Sequence, residues 1–402
     1  MTSYQLVALF VCLTALLAWL NARWLRLPSQ VGMLVISLVG SAAVLVLDAA
    51  GVVDASHVRH VVGQVDFAHT LLDGLLGLML FAGAMHLDLG ELARQRWQVA
   101  ALSLGATVAS TVLVGVAVFG LFGALGLPLG WLDALLFGAL ISPTDPIAVM
   151  GLLKRSRVPR DAAAQIAGES LFNDGVGVVL YTVLLAVRAG AHTSALDALG
   201  LFARAAIGGA AFGLAVGMLG RLVLRSVEDH VVSILVTLAL VLGGYALADQ
   251  LGISGPIGAV VAGLVIGDRA REPLLAFWEL VDEILNAILF VLLGLEATRL
   301  HVSLALAVVA VAAVPVVIGA RLASISAAMA LVRPFGARAV PHARILLTWA
   351  GLRGGLAVAL ALSLPDAAPR DELLVVTFVV VACSVIGQGL TMPWLLRRLG
   401  ID

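Results

Sequence analysis

Gly168-Glu169-Ser170-Leu171-Phe172-Asn173-Asp174-Gly175-Val176-Gly177-Val178-Val179-Leu180 places a Glu, a Ser, an Asn and an Asp within six residues of an otherwise apolar run. On a helix, positions 169, 170, 173, 174 and 177 fall on one stripe, so the four polar side chains face the same way and Gly177 extends their line. The question is what surrounds that stripe. If it is lipid and packed helices, two carboxylates at such depth are costly and mark an ion or proton path.

The surroundings are overwhelmingly apolar. Of 402 residues, 61% are hydrophobic and 12% charged, and mean hydropathy is +1.09. Apolar runs of about 20 residues recur, each long enough to cross a hydrocarbon core of about 30 Å as a helix. They lack the polar–apolar alternation of barrel strands. The chain therefore reads as an all-α polytopic membrane protein. Thirteen spans are expected: 3–22, 30–48, 70–89, 98–123, 131–152, 162–187, 197–220, 231–248, 254–267, 281–298, 302–331, 343–363 and 372–396. The stretch 272–280, with Pro273, Phe277, Trp278 and Glu279, reads as an interfacial segment before span ten.

Basic residues orient the spans. Arg23, Arg26, Arg94, Arg96, Lys154, Arg155, Arg157, Arg160, Arg221, Arg225, Arg269, Arg271, Arg333, Arg338, Arg344, Arg397 and Arg398 follow odd-numbered spans. Only Arg59, Arg188, Arg299 and Arg370 follow even ones, a ratio of 17 to 4. One missed or invented span would destroy that asymmetry. It puts the N-terminus outside and the C-terminus in the cytoplasm, with a plasma (inner) membrane the expected location. The first apolar run lacks a basic leader and reads as a retained span. A net charge of −1 gives no nucleic-acid partner. Cys12 and Cys383 lie inside apolar runs and read as small buried residues, with no disulfide framework. Arg204, early in span seven, is expected to snorkel to the outer surface.

Two other spans are interrupted. Ser142-Pro143-Thr144-Asp145-Pro146 in span five has two prolines that remove backbone donors and disfavour helix before them. Non-helical backbone at this depth survives only when buried in protein or lining a cavity, where freed carbonyls and the Thr144 hydroxyl are hard oxygen ligands. Gly351-Leu352-Arg353-Gly354-Gly355 in span twelve surrounds one charge with glycine. Two crossing breaks expose positive helix N-termini and negative C-termini; Asp145 would neutralise the first and Arg353 the second. Spans four to six and eleven to thirteen are offset by seven, which inverts their orientation, the arrangement of an inverted-repeat transporter. Arg321, mid-span in eleven, needs a partner, and Glu169 is the natural one.

That leaves Asp174 as the free carboxylate. Its charged form is the costly one when desolvated. A proton neutralises it, or a small monovalent cation held by Asp174 with oxygens of Ser170 and Thr144, but not both at once. Competition for one carboxylate with alternating access predicts electroneutral 1:1 exchange, with Na⁺, Li⁺ or K⁺ left open as the cation. No cofactor and no enzymatic step is expected. A membrane hydrolase, suggested by Gly252-Ile253-Ser254-Gly255, lacks an intramembrane His near Ser254, and GISGP reads adequately as a helix start. A cation channel or transport-inactive sensor on the same scaffold is the remaining alternative.

At these residues a family resemblance emerges. SPTDP, GESLFNDGVGVVL, FWELVDEILNAILFVLLGLE (277–296), GARL around Arg321 and WAGLRGG (349–355) together resemble the NhaP-type, sodium/proton-exchanger branch of the monovalent cation/proton antiporters. The resemblance implies a homodimer whose protomers divide into a transport bundle, about 98–187 and 302–398, and an interface bundle, about 1–89 and 197–298. It implies an Asn-Asp pair at 173–174 in place of two Asp. It makes Asp174 the cation/proton carboxylate with Ser170 and Thr144 as ligands, and Asn173 the residue orienting the site. Glu169 pairs with Arg321, and Asp145 and Arg353 belong to the crossing. One departure stands out: several members carry a Glu in span three, where this chain has Phe81-Ala82-Gly83-Ala84-Met85. His86, Asp88 and Glu91 near the end of span three, and Glu228, Asp229 and His230 before span eight, read as interfacial residues, with pH sensing the alternative. Asp282 and Glu283 read as a solvated helix end, with a cation funnel the alternative.

Overall fold

Backbone groups in hydrocarbon must be satisfied within their own segment, and the apolar runs accordingly form helices. The computed structural model describes residues 2–64, 66–145, 160–190, 194–332, 342–365 and 367–401. Helix occupies all thirteen expected regions, and among the described residues no strand forms beyond a single antiparallel bridge between Asp145 and Leu352.

We number the spanning helices α1 (Ser3–Leu20), α2 (Ser29–Ala49), α3 (Phe67–Met85), α4 (Arg96–Ala124), α5 (Trp131–Ile141), α6 (Arg160–Arg188) and α7 (Ala195–Arg225). Then follow α8 (His230–Gln250), α9 (Gly255–Gly267), α10 (Glu272–Glu296), α11 (Leu304–Val332), the half-helices α12a (Ala343–Ala350) and α12b (Gly355–Leu362), and α13 (Arg370–Leu399). Pro146 and the basic residues Lys154, Arg155, Arg157, Arg333 and Arg338 lie outside the described residues.

Two boundaries correct the sequence reading. The stretch 272–280 is not a separate interfacial segment but the first turns of α10, because Pro273 sits in the first turn, where its missing N–H costs nothing. Span three stops at Met85, and Asp88 then caps a separate short helix, Leu89–Arg94, its Oδ1 accepting from Glu91 N at 2.9 Å. Cys12 and Cys383 are exposed on the outward faces of α1 and α13, not buried; in a spanning helix an apolar run reaches lipid as readily as core. Arg204 does extend to the helix end, with Nη2 3.4 Å from Leu251 O. Ser254 caps α9, its Oγ accepting from Ile257 N at 3.2 Å, which accounts for the GISG motif without a nucleophile.

Small residues set the closest packing, as expected where lipid supplies no hydrophobic drive between helices. Gly209, Gly213 and Gly217, four apart on α7, present a flat face to Ser254, Gly258 and Ala262 of α9, where any added Cβ would meet backbone. α9 in turn packs on α3, α10 on α2, α4 on α5 and α11, and α11 on α13. α6 lies at the centre, touching α4, α5, α7, α9 and both halves of α12. That placement delivers its polar stripe to the two interrupted helices.

Candidate functional site

α5 ends at Ile141 with Ser142 as its helical cap, and the chain leaves the helix at 143–145. The continuation is held by the break in span twelve: Asp145 N donates to Leu352 O at 2.8 Å. The two interrupted segments therefore cross antiparallel, each supplying a backbone partner that its own helix no longer can.

Arg353 lies at the C-terminal end of α5. Its Nη1 donates to Ser142 O at 2.5 Å and Pro143 O at 3.0 Å, and it is buried. Its own backbone N donates to Ser384 Oγ at 3.1 Å, and Ser384 donates to Gln388 Oε1. Asp145 lies at the opposite pole, over the first turn of α12b. A methyl placed on Gly354 would stand 3.0 Å from Asp145 Oδ2, so glycine lets the carboxylate approach that helix N-terminus.

The stripe on α6 closes the site from the other side. Arg321 of α11 holds Glu169 through two bonds, Nη1 to Oε1 at 3.1 Å and Nη2 to Oε2 at 2.8 Å. The spare guanidinium donors reach Leu347 O at 3.3 and 3.1 Å. Asn173 Nδ2 donates to Glu169 Oε1 at 2.7 Å and to Thr144 Oγ1 at 2.8 Å, and its Oδ1 accepts from Thr144 N at 3.2 Å. Ser170 Oγ donates to Thr144 O. Glu169, Ser170, Asn173, Thr144, Arg321 and Arg353 are all buried. Gly177 extends the stripe for a steric reason: a Cβ there would run into the Pro143 ring.

Asp174 stands apart. It is half-buried, and among the described residues its carboxylate has no hydrogen-bond donor and no ion-pair partner. It lines a cavity of about 290 Å³ together with Thr144, Asp145 and Ser170. The same cavity runs between α3 and α10 to His86, Glu279, Asp282 and Glu283, of which His86, Glu279 and Glu283 are exposed. One cavity thus joins the exposed His86, Glu279 and Glu283 to the wall that carries Asp174.

Ser170, Thr144, Asp145 and Asp174 are brought to one wall, while Glu169, Asn173, Arg321 and Arg353 lie off the cavity and brace it. Ala82 is fully buried and is not on that wall; its neighbour Gly83 is. Ser384 and Gln388 escaped the sequence reading, although two polar residues four apart in the apolar span thirteen are the same signal that exposed α6. Gln388 also reaches Thr348 O at 3.4 Å, tying α13 to α12a.

Comparison with known proteins fits this geometry. Residues 11–398 match the family model described as sodium/hydrogen exchanger, transmembrane. The Na(+)/H(+) antiporter NhaP of Pseudomonas aeruginosa is 40% identical, across 98% of this chain and 96% of its own length. The Na(+)/H(+) antiporter NhaH of Halobacillus dabanensis is 33% identical, across 94% of each. Among solved structures, the sodium proton antiporter MjNhaP1 from Methanocaldococcus jannaschii superposes with a TM-score of 0.74 at 20% identity, covering 98% of this chain and 97% of its own, which shows a shared fold. With a family match over nearly its full length and a close relative of the same extent, this chain belongs to the sodium/hydrogen exchanger family of integral membrane proteins.

Proposed function

We propose that the chain is a secondary transporter that exchanges Na⁺ for H⁺ at Asp174, one for one and without net charge movement. The observation that carries this is the contrast among three acidic groups. Glu169 is bound by Arg321, Asp145 shares the cavity wall but lies at the N-terminus of α12b, and Asp174 faces the same cavity with no cationic partner among the described residues. A permanent basic partner would have sealed its oxygens. Instead one carboxylate is open to either a proton or an alkali cation, and binding one excludes the other.

Ser170 and Thr144, on the same wall, are the remaining candidate ligands, and Asn173 holds Thr144 in place. Li⁺ binds by the same chemistry. K⁺ is larger and tests how far the ligand oxygens can separate. The regions 98–187 and 302–398 contribute every polar side chain just named, which supports their role as the moving transport bundle. The regions 1–89 and 197–298 then form the static interface bundle. The exposed apolar faces of α1, α7 and α8 suit lipid or a second copy in a homodimer. With the basic loops inside and the N-terminus outside, the cavity opens to the cytoplasm and this is the inward-facing state.

The test is proton flux in proteoliposomes with each alkali cation, comparing the natural protein with Asp174→Asn. Cation-driven flux is expected to vanish in the variant, and no net current is expected from the natural protein. Flux that survives Asp174→Asn, or a steady current under a cation gradient, would favour a channel or a different carrier group.

A further inference from the structure

Away from the transport cavity, a second hollow of about 260 Å³ lies where α7 ends, α8 begins and α9 passes into α10. Its wall holds four guanidiniums, Arg221, Arg225, Arg269 and Arg271, and the His230 imidazole, over an apolar floor of Leu224, Ile266 and Leu274. Among the described residues no carboxylate lines it. Asp268, just outside, pairs with two of the four, Arg221 Nη2 at 3.0 Å and Arg269 Nε at 3.8 Å from its Oδ2, which leaves Arg225 and Arg271 without a carboxylate among the described residues. The other nearby acids are otherwise engaged or turned out. Asp229 Oδ1 caps Val232 N at 2.9 Å, and Glu228 offers its backbone carbonyl to Arg271 Nη1 at 3.4 Å while its side chain is exposed.

Arginines after membrane spans need no explanation beyond orientation. Their convergence from three helix ends onto one hollow does. His230 and Ser233, at the start of α8, complete the lining, while the helix end itself is capped by Asp229. Guanidinium forks match the paired oxygens of a phosphate, and the apolar floor suits the glycerol and first methylenes behind it.

We infer that this hollow is an anion site for a phosphate group, supplied by the headgroup of an anionic phospholipid or by free phosphate. The site lies at the end of the apolar helices, where headgroups lie, and it is separate from the residues that face Asp174. Occupancy would tie α7, α8 and α10 together at one end of the bundle.

The experiment uses the purified full chain in detergent, with melting and native mass spectrometry as readouts. Phosphatidylglycerol, phosphatidylcholine and inorganic phosphate are added separately. Phosphatidylglycerol is expected to raise the melting temperature and stay bound where phosphatidylcholine does not. Arg225→Gln with Arg271→Gln should weaken that binding by about fivefold per arginine removed. Arg94→Gln with Arg96→Gln, which removes the same charge outside the hollow, should leave it unchanged. Stabilisation by inorganic phosphate, abolished by the same pocket pair, would assign the free anion as the source. If the pocket pair fails to fold in phosphatidylcholine, Arg271→Gln alone reads the loss at about fivefold. The inference is overturned if neither anion stabilises the protein, or if the pocket pair binds like the control pair.

Discussion

Asn173 and Thr144 are joined by two antiparallel hydrogen bonds, Nδ2 to Oγ1 at 2.8 Å and backbone N to Oδ1 at 3.2 Å. The amide thus reads both the side chain and the backbone of the interrupted segment, and Nδ2 holds Glu169 at 2.7 Å as well. Only an amide, with donor and acceptor on one planar group, satisfies all three. Asn173→Ala leaves a buried backbone N–H and a buried carboxylate each short of a partner. A loss of about 2–4 kcal/mol is expected, the sum of one to two unsatisfied buried groups. Thermal unfolding in detergent measures it, and an unchanged melting temperature would show that Thr144 is held by other means.

Glu169 and Arg321 form a bidentate pair with both members buried. Removing one charge strands the other, so Glu169→Gln or Arg321→Gln is expected to cost about 3–5 kcal/mol. The double variant should recover much of that, because no bare charge remains. Simple addition of the two single losses in the double variant would contradict the pairing.

Gly351 lies against the Arg321 guanidinium, with Cζ 2.5 Å from the position its Cβ would take. Gly351→Ala must push a planar, doubly bonded group aside in a packed interior. A destabilisation of about 1–3 kcal/mol is expected from overpacking. Transport should fall in parallel, since Glu169 also steadies Asn173. Full stability and full flux in this variant would mean the break in span twelve is looser than its contacts imply.

Competition for Asp174 fixes the form of the pH dependence. As pH falls, protons occupy the carboxylate, so the apparent KM for the cation should rise while the rate at saturating cation is unaffected by that competition. Measuring flux against cation concentration at several pH values checks this. A KM independent of pH, with only the maximal rate changing, would place the titrating group elsewhere.

Glu279, Asp282 and Glu283 line the way to Asp174. Acidic walls concentrate cations electrostatically, an effect screened by salt. Glu279→Gln with Glu283→Gln is therefore expected to raise the KM for Na⁺ several-fold at low ionic strength, about 10 mM, and to have little effect near 1 M, where the Debye length is about 3 Å. A KM shift unchanged by salt would point to direct coordination.

Much of this molecule is legible in its sequence. Hydrophobic runs of span length and the one-sided arginines specified thirteen helices, because each backbone group in hydrocarbon must be satisfied locally and charge must stay at the surface. The polar stripe on α6, the SPTDP and GLRGG breaks and the unmatched Arg321 announced themselves as costs that an apolar environment does not tolerate without a partner. The chemistry of those residues also named their natural complements. What the linear order could not hold is distance between remote segments. That Asp145 N meets Leu352 O, that Asn173 reaches Thr144, and that Ser384 supports Arg353 depends on how five helices cross. The same is true of the extent of α10 and of the outward-facing Cys12 and Cys383, since apolar sequence fits lipid and protein equally well. Above all, packing alone decides that Asp174 opens onto a cavity while Glu169, five residues earlier on the same helix face, is closed off by an arginine from α11.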